Sequence, residues 1–463
     1  MATNGSSSAV DKLDFTTFGN EGENPPAPVS TLEDVNRAVE PARNAAKSWA
    51  AVPMSKRQQV LKAFTDAFEA QEEGFVQMLV KEQGKSISEG HHEFRLSLQF
   101  LRGFCGLDLP EELLESSETR KVTVQYTPLG VVAGIVAWNY PIFIACGKIG
   151  QALATGNTLI LKPSPFAPYC NLKLAELGTR FFPHGVFQAL SGDDDLGPWL
   201  TEHPCIDVVS FTGSVALGKQ IGETCGKSLK RCILELGGND PAIVCADVDI
   251  AAIAPVIAYL TFANSGQICI IPKRVYVHDS IYDKFLSILA AYATNLSLKQ
   301  EEQGAIGPVS NQPQYERVKH MLEDIERNHL TIAAGSTKPL TDRRGFFLSP
   351  TLVDNSPDSS RIVTEEPLGP VVPVMRWTDE SDVINRANNT DFGLSASVWS
   401  RDAAQAECMA RQLQAGNIWI NTHAATDPKF SSGSFKNSAN GANFGVMGLK
   451  AYCNLQTIHA RLG

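Results

Sequence analysis

The sequence predicts an α/β protein with doubly wound parallel sheets, and three observations support that class. Short, continuous apolar runs, such as residues 130–137 and 208–211, are typical of parallel strands buried on both faces. Helical stretches lie between these runs, and such strand–helix alternation is typical of the α/β class. The 463 residues also exceed one ordinary hydrophobic core, so we expect two or three domains.

The first elements are predicted to be helical. Residues 1–30 are polar and proline-rich, which indicates a loose arm. Thr31 begins a helix-capping signature, and apolar residues then recur at helical spacing as far as Trp49. Two more helices are predicted over residues 56–72 and 86–104, and we expect their charged faces to be solvated.

From about residue 119 the pattern changes to strands. Residues 121–126 alternate between polar and apolar side chains, which predicts a half-exposed ribbon. Buried strands are then predicted at residues 130–137, 158–161, 186–190, 208–211 and 242–245.

A second α/β block is predicted from about residue 240 to residue 439. No long low-complexity linker precedes it, so we expect the two blocks to pack closely. Its strands are predicted near residues 274–277, 371–375 and 416–420, and its helices include residues 280–296 and 314–326.

The composition argues against several classes of partner. A net charge of -10 disfavours nucleic acid and anionic membranes, which both attract basic surfaces. No apolar run reaches the roughly 20 residues that span a bilayer. Residues 1–10 lack the apolar core of a secretory signal. We therefore expect a cytoplasmic protein that binds neither nucleic acid nor membranes.

The cysteine pattern predicts free thiols and no bound metal. No Cys-x-x-Cys and no Cys/His cluster with zinc spacing occurs, and scattered cysteines are typical of a reducing compartment. The cysteines stand at positions 105, 146, 170, 205, 225, 232, 245, 269, 408 and 453.

Cys269 is the strongest candidate for a chemical role. It follows a run of small residues and lies among branched apolar side chains. Upstream, Glu235 stands between two leucines, just before a glycine pair. A thiol and a carboxylate of raised pKa are the nucleophile and base that covalent catalysis requires. Either residue alone also occurs in purely structural settings.

Residues 207–219 read as strand, glycine turn and helix. Gly213 permits close backbone approach, Ser214 and the first helical N–H groups can face a pyrophosphate, and Gly218 allows tight packing of helix on sheet. A single turn of this kind is weak evidence, and it departs from the usual dinucleotide fingerprint.

Further motifs strengthen the interpretation because they occur in a fixed order. They are Ala137-Trp138-Asn139-Tyr140-Pro141, Leu161-Lys162-Pro163-Ser164, Phe211-Thr212-Gly213-Ser214, Glu235-Leu236-Gly237-Gly238, Gly266-Gln267-Ile268-Cys269 and Glu366-Pro367-Leu368-Gly369-Pro370. In this order they resemble the NAD(P)-dependent aldehyde dehydrogenase superfamily, over the chain from about residue 30 to the end.

The resemblance implies an aldehyde dehydrogenase-like fold, in which two doubly wound α/β domains carry a small β oligomerisation arm. It assigns residues 1–118 and 129–237 to a cofactor-binding domain and residues 238–439 to a catalytic domain. Residues 119–128 and 450–463 would form the arm, so we expect a homodimer or homotetramer.

The resemblance also implies the chemistry of an enzyme that oxidises an aldehyde to an acid. Cys269 would attack the aldehyde, Asn139 and the Cys269 backbone N–H would stabilise the oxyanion, and Glu235 would activate the hydrolytic water. The cofactor would be NAD, with some tolerance of NADP. Its binding set would be Trp138, Lys162, Ser164, Pro165, Gly213, Ser214, Gly218, Leu236, Glu366 and Leu368.

The chain departs from the family pattern at two places. Pro165 stands where NAD-preferring relatives often carry Glu, so nothing there repels a 2′-phosphate. In residues 431–443, Ser432 replaces an aromatic residue, and Ala442-Asn443 replaces Arg-Glu. A smaller, more polar wall predicts room for a bulky or oxygenated aldehyde.

The rest of the predicted substrate pocket is an apolar throat. It would be formed by Tyr140, Ile144, Ile268 and Ile270, with Ser432 beside them. We therefore expect a medium or large, partly hydrophobic aldehyde as the substrate.

Three other functions remain open at the level of sequence. A CoA-acylating dehydrogenase of the same fold typically lacks the glutamate at position 235. A degenerate structural or binding protein would be consistent with the altered 431–443 loop, but not with the retained catalytic residues. A thioester-type hydrolase would need an activating histidine, and no motif places one.

Overall fold

The computed structural model describes residues 27–298, 306–340 and 345–462, which form three β-sheets with helices packed around them. Most of the predicted N-terminal arm lies outside these residues. The helices are α1 Leu32–Ala50, α2 Met54–Glu69, α3 Glu72–Gln83, α4 Ile87–Phe104, α5 Pro141–Thr155, α6 Tyr169–Gly178, α7 Leu196–Glu202, α8 Val215–Lys227, α9 Ile250–Phe262, α10 Tyr282–Leu298, α11 Gln312–Arg327, α12 Arg361–Thr364, α13 Glu380–Asn388, α14 Ala403–Ala410 and α15 Gly445–Ala451.

The strands follow the same chain order. They are β1 Glu112–Ser116, β2 Arg120–Pro128, β3 Val131–Ile135, β4 Thr158–Lys162, β5 Phe187–Ala189, β6 Val208–Thr212, β7 Arg231–Glu235, β8 Asp240–Val244, β9 Pro272–His278, β10 Thr331–Ala334, β11 Thr351–Asp354, β12 Val371–Trp377, β13 Ser395–Trp399, β14 Asn417–Ile420, β15 Ala439–Asn440 and β16 Cys453–Arg461.

The first sheet has the strand order β15-β7-β6-β3-β4-β5. Its strands β7 to β5 are parallel, and β15 joins antiparallel at the β7 edge. The side chains of β3, β4 and β6 are buried throughout, which explains their continuous apolar sequence. In such a sheet, ligands bind beyond the carboxyl ends of the strands.

The second sheet has the order β10-β11-β12-β9-β8-β13-β14. It is parallel apart from β10, which pairs antiparallel with β11. The loop between α9 and β9 carries Cys269, so this sheet supports the candidate nucleophile.

The third sheet is small and antiparallel, with the order β1-β2-β16. The ribbon predicted at residues 121–126 is the centre of β2. Strand β16 pairs along the whole of β2, from Cys453 opposite Pro128 to Arg461 opposite Arg120.

The N-terminal helices confirm some predictions and correct others. Thr31 caps α1 through a capping box with Asp34. The predicted helix at residues 56–72 ends earlier, at Glu69, and α3 was not predicted. The expectation that charged faces are solvated is wrong for Arg57, which is buried and donates from Nε to the Ala154 carbonyl at 2.9 Å.

None of the helices in the described ranges has both the length and the apolar surface that a bilayer span demands.

Candidate active site

A cavity of about 380 Å³ lies beside Cys269. Its wall includes all three predicted catalytic residues, contributed by the ends of β3 and β7 and by the loop before β9. It also includes every predicted substrate-pocket residue. The predicted residues in the wall are Asn139, Tyr140, Ile144, Glu235, Ile268, Cys269, Ile270 and Ser432.

The backbone that leads to Cys269 is strained. Asn264, Ser265 and Gly266 have φ angles of 49°, 59° and 71°, in the left-handed region that non-glycine residues rarely adopt. Ser265 holds this turn by donating from Oγ to the Gly307 carbonyl at 2.7 Å. A side chain at Gly266 would place Cβ 2.2 Å from the Gly369 carbonyl oxygen, so the turn requires glycine.

The Cys269 thiol is half-buried and faces the cavity. Burial raises the pKa of this thiol strongly, and the nearby Glu235 carboxylate raises it further. Lys273 opposes both effects; its Nζ donates to the Cys269 carbonyl at 2.6 Å. The thiol is therefore protonated at neutral pH, and forming a thiolate requires a base nearby.

Glu235 ends β7 and lies in that cavity wall. Burial raises the pKa of its carboxyl, while Lys148 and a hydrogen bond from Thr212 lower it. Thr212 donates from Oγ1 to Glu235 Oε2 at 3.3 Å, and Lys148 Nζ donates to Thr212 Oγ1 at 3.1 Å. A carboxyl held between these influences is suited to general-base work near neutral pH.

Lys148 was not recognised in the sequence. It is buried in α5, and burial lowers its pKa to about 8 while Glu235 opposes that effect. A detectable signal exists, because Lys148 is the only charged side chain in the otherwise apolar helix Pro141–Thr155. A lone lysine inside a buried helix indicates a partner of opposite charge.

Asn139 follows β3, and its side chain is buried. Its Nδ2 donates to the Gln267 carbonyl at 2.9 Å, and its own carbonyl accepts from Asn264 Nδ2 at 3.1 Å. A side-chain amide carries two N–H donors, so one remains for an acceptor in the cavity. These contacts tie Asn139 to the turn that precedes Cys269.

The predicted phosphate loop has the expected tight packing. The Gly213 N–H donates to the Glu235 carbonyl at 3.0 Å, which links the loop to the end of β7. A Cβ on Gly218 would lie 2.4 Å from Leu236 Cδ2, so α8 packs closely on the sheet. Ser214 Oγ caps α8 by accepting the Leu217 N–H at 3.3 Å.

Four other predicted cofactor residues lie at or just after the ends of β3 and β4. Lys162 is buried, and burial lowers its pKa, whereas Asp194 and Asp193 oppose that effect. The other three residues are half-buried Trp138, buried Ser164 and exposed Pro165.

Glu366 and Leu368 lie in the loop before β12. Oxygen Oε1 of Glu366 is buried without a hydrogen-bond partner among the described residues, 3.6 Å from Lys273 Nζ. Gly237 leaves room for this side chain, since a Cβ there would lie 2.2 Å from Glu366 Oε2. Gln314 Nε2 donates to the Leu368 carbonyl at 3.0 Å. A buried orphan acceptor of this kind fits the hydroxyl groups of a ribose.

Phe444 supplies an aromatic wall that sequence reasoning did not foresee. Ser432 and Asn443 pair in an antiparallel bridge, which brings Phe444 to the cavity. Its ring centroid lies 4.7 Å from that of Phe100 and 5.8 Å from that of Phe143. Ser432 does make the wall locally polar, but Phe444 keeps an aromatic surface close by.

His423 is a second residue that the sequence did not reveal. It lines the cavity, and its Nε2 donates to the Ile270 carbonyl at 2.9 Å, one residue beyond Cys269. Burial lowers its pKa to about 3, so the ring stays neutral at physiological pH. Its ring packs on Trp419, with centroids 5.0 Å apart.

This arrangement can be compared with known proteins. A model described as the aldehyde dehydrogenase family matches residues 23–458. The chain belongs to the aldehyde dehydrogenase family.

Individual members of the aldehyde dehydrogenase family match almost the whole chain. "Aldehyde dehydrogenase LUC3" from Fusarium sp is 37% identical over 454 residues, covering 98% of this chain and 95% of that protein. Phenylacetaldehyde dehydrogenase from Pseudomonas fluorescens is 35% identical, covering 93% of this chain and 89% of that protein. The crystal structure of Mycobacterium tuberculosis aldehyde dehydrogenase complexed with NAD+ has a TM-score of 0.89 and 30% identity, covering 93% and 91% of the two chains.

Proposed function

We propose that this aldehyde dehydrogenase oxidises medium or large, partly hydrophobic aldehydes to carboxylic acids with NAD. The observation that carries the proposal is the presence of Cys269, Glu235 and Asn139 in the wall of one cavity. A nucleophile, a base and an oxyanion donor are the parts that covalent aldehyde oxidation requires.

In the first step, Glu235 takes the thiol proton and Cys269 attacks the aldehyde carbon to form a hemithioacetal. The raised pKa values of both groups support this pairing, because a buried thiol needs a basic carboxylate nearby. The free N–H of Asn139 and the Cys269 backbone N–H then donate to the developing oxyanion. One such donor typically contributes about 3 kcal/mol to the transition state.

When bound, NAD would supply the hydride acceptor, and the hemithioacetal on Cys269 would become a thioester once its carbon loses the hydride. Glu235 releases the thiol proton to solvent and then removes a proton from water, which attacks the thioester carbonyl. The C–S bond breaks, so the acid is released and Cys269 leaves as the thiolate. The presence of Glu235 in the cavity wall favours this hydrolysis over transfer to CoA. The orphan carboxylate oxygen of Glu366 and the glycine turn at Gly213 support binding of the ribose and pyrophosphate.

Kinetic measurements on two variants test the catalytic roles of Cys269 and Glu235. Cys269→Ala should abolish turnover, because no covalent intermediate forms. Glu235→Gln should give a slower burst of reduced nicotinamide, because the thiol loses its base, while steady-state turnover falls by at least about 100-fold, as expected for loss of a general base. Rapid-mixing absorbance measures both phases. A burst at the wild-type rate would contradict the role of Glu235 in thiol activation, and an unchanged steady-state rate would contradict its role in hydrolysis.

We propose NAD as the preferred cofactor and some tolerance of NADP, because Pro165 carries no charge to repel a 2′-phosphate. Binding constants and kcat/KM for both cofactors test this point. A thousandfold preference for NAD would contradict the tolerance.

The substrate proposal is supported by the apolar and aromatic cavity wall and by the similarity to phenylacetaldehyde dehydrogenase. A panel of aldehydes from acetaldehyde to long-chain and aryl compounds should show kcat/KM increasing with apolar size. If acetaldehyde were the best substrate, the assignment of a bulky substrate would be wrong.

We also propose how the chain divides into domains and how subunits associate. Residues 1–118 and 129–237 would bind the cofactor, residues 238–439 would carry the nucleophile, and residues 119–128 and 450–463 would join subunits of a dimer or tetramer. A cytoplasmic location agrees with the free thiols among the described residues.

A further inference from the structure

We infer that the buried ion pair of Lys85 and Glu93 positions Asn139, and so sets the geometry of the oxyanion site. This inference rests on the proposed function of Asn139. Both side chains are fully buried and in direct contact, Lys85 just before α4 and Glu93 within it.

Each partner of the pair holds a different side of the turn that carries Asn139. Lys85 Nζ donates to the Asn139 carbonyl at 3.2 Å and lies 4.1 Å from the centre of the Tyr140 ring. Glu93 Oε1 accepts the backbone N–H groups of Ile142 at 2.8 Å and Phe143 at 3.2 Å. The pair therefore bridges the end of the turn and the first turn of α5.

Asn264 completes this clamp from the catalytic loop. Its Nδ2 donates to the same Asn139 carbonyl that Lys85 binds, and its backbone N–H donates to the Glu89 carboxylate. Lys85 and Asn264 thus fix the Asn139 backbone, while the Gln267 carbonyl fixes the amide. Because the backbone and the first amide N–H are fixed in this way, the second N–H of the Asn139 side chain can point in only one direction.

Stability does not explain why this pair is charged, because a neutral acceptor at position 93 could also accept the Ile142 and Phe143 N–H groups. Removing two charges from water costs several kcal/mol per ion, and apolar residues of similar volume often stabilise such a site equally well. Catalysis does explain it, because a displacement of about 1 Å in a catalytic group can cost about 100-fold in rate. Lys85 and Glu93 are therefore positioning residues, acting through Asn139.

The test replaces both charges together, with Lys85→Met/Glu93→Leu in the full chain. We expect kcat for a good aldehyde to fall about 10- to 100-fold and KM to change less than about threefold, with a lower melting temperature because the Ile142 and Phe143 N–H groups lose their acceptor. The exposed pair Lys62 and Asp66 on α2 provides a matched control, since Lys62→Gln/Asp66→Asn should leave kcat unchanged.

A thermodynamic cycle with Asn139→Ala separates positioning from a general structural effect. If the pair acts through Asn139, adding Lys85→Met/Glu93→Leu to Asn139→Ala should lower kcat by less than about twofold further. Full additivity of the two effects would overturn the inference, as would an unchanged kcat in Lys85→Met/Glu93→Leu.

Glu93→Gln gives a second test if the apolar variant folds poorly. It retains an acceptor for the Ile142 and Phe143 N–H groups but removes the charge that holds Lys85, so kcat should fall with KM preserved. A kcat for Glu93→Gln equal to that of the wild type would also overturn the inference. Failure of the proposed function is distinguishable, because the wild-type protein would then oxidise none of the aldehydes tested.

Discussion

Glu235 and Lys148 influence one another through Thr212, at the centre of the candidate site. Thr212 accepts from Lys148 and donates to Glu235, so a buried cation stands one hydroxyl away from the proposed base. Each charge favours the ionised form of the other, while burial opposes both. The balance sets the pH above which Glu235 is available as a carboxylate.

Removing the cation should move the pH dependence of deacylation. Glu235 works as the carboxylate, which exists above its pKa, so the rate rises with pH through that value. Lys148→Met removes a group that lowers this pKa, and the midpoint should therefore move to higher pH. Steady-state kcat between pH 5 and 10 measures the shift.

Lys173→Met on α6 provides the control, because that lysine forms an ion pair with Glu176 away from the cavity. Its pH profile should match the wild type. A Lys148→Met profile with an unchanged or lower midpoint would contradict the coupling between Lys148 and Glu235.

Sequence motifs identified the residues that line the cavity together, but not the residues that shift their pKa values or contact the loop around them. Cys269, Glu235 and Asn139 occupy recognisable motif positions. Lys148 and His423 act through contacts across more than 80 residues of chain, with Glu235 and Ile270 respectively. Such contacts depend on packing, which periodicity and motif spacing do not report.

Among the elements, the bridge between Ser432 and Asn443 shapes the cavity most directly. It holds the chain so that Phe444, with φ of 57°, turns towards Phe100 and Phe143. Position 432 lacks the aromatic residue of the family pattern, and the sequence shows this loss directly. Phe444 could not be predicted as the replacement, because it lies twelve residues further on and reaches the cavity only through the bridge.

Restoring an aromatic side chain at position 432 should narrow the substrate range. Ser432 lies in the cavity wall, so Ser432→Phe fills space and should lower kcat/KM for bulky aldehydes about tenfold, with less effect on propanal. Ser432→Ala is the control, since it also loses the hydrogen bond from Asn417 Nδ2 without filling the cavity. Equal losses in both variants would show that the hydrogen bond, rather than the space, matters.

Helix boundaries show where local patterns were sufficient and where they failed. The capping box at Thr31 marks the start of α1 as expected, and α4 begins one residue after the predicted start, with Ser86 as its N-cap. Helix α3 was missed because it follows α2 after only two residues, and its N-cap Gln71 makes no side-chain capping bond. Where a cap is absent, the boundary depends on tertiary packing.

At the scale of the whole molecule, the small antiparallel sheet has an unpaired edge among the described residues. In the described residues, β16 pairs only with β2, so its other edge is open. Leu455 is 64% exposed and Ile458 is 42% exposed on this strand. An open edge with exposed apolar side chains favours pairing with another subunit.

Charged residues on β16 should weaken the expected assembly. Leu455→Lys/Ile458→Lys should lower the molar mass measured by light scattering from a dimer or tetramer towards the 50.1 kDa subunit. Asn454→Lys/Thr457→Lys adds the same charge to polar positions of the strand and should retain the assembly. A wild-type protein of single-subunit mass would contradict the proposed arm.

Fold class and sheet content were predictable because buried parallel strands leave continuous apolar runs. The order of strands was not, since nothing in the runs states which strands are neighbours. The two-residue strand β15 illustrates the limit: it is too short for any pattern, yet it closes the edge of the first sheet.

Strand β15 determines when the surroundings of Glu235 are completed during synthesis. Ala439 pairs with Glu235, and Ser438 bonds both the Leu236 N–H, through its carbonyl at 2.8 Å, and the Gly237 carbonyl, through its hydroxyl at 2.7 Å. During synthesis, some 170 residues are therefore added after Cys269 before Ala439 can pair with Glu235. Truncated chains that stop short of Ser438 would therefore lack these contacts around the proposed base.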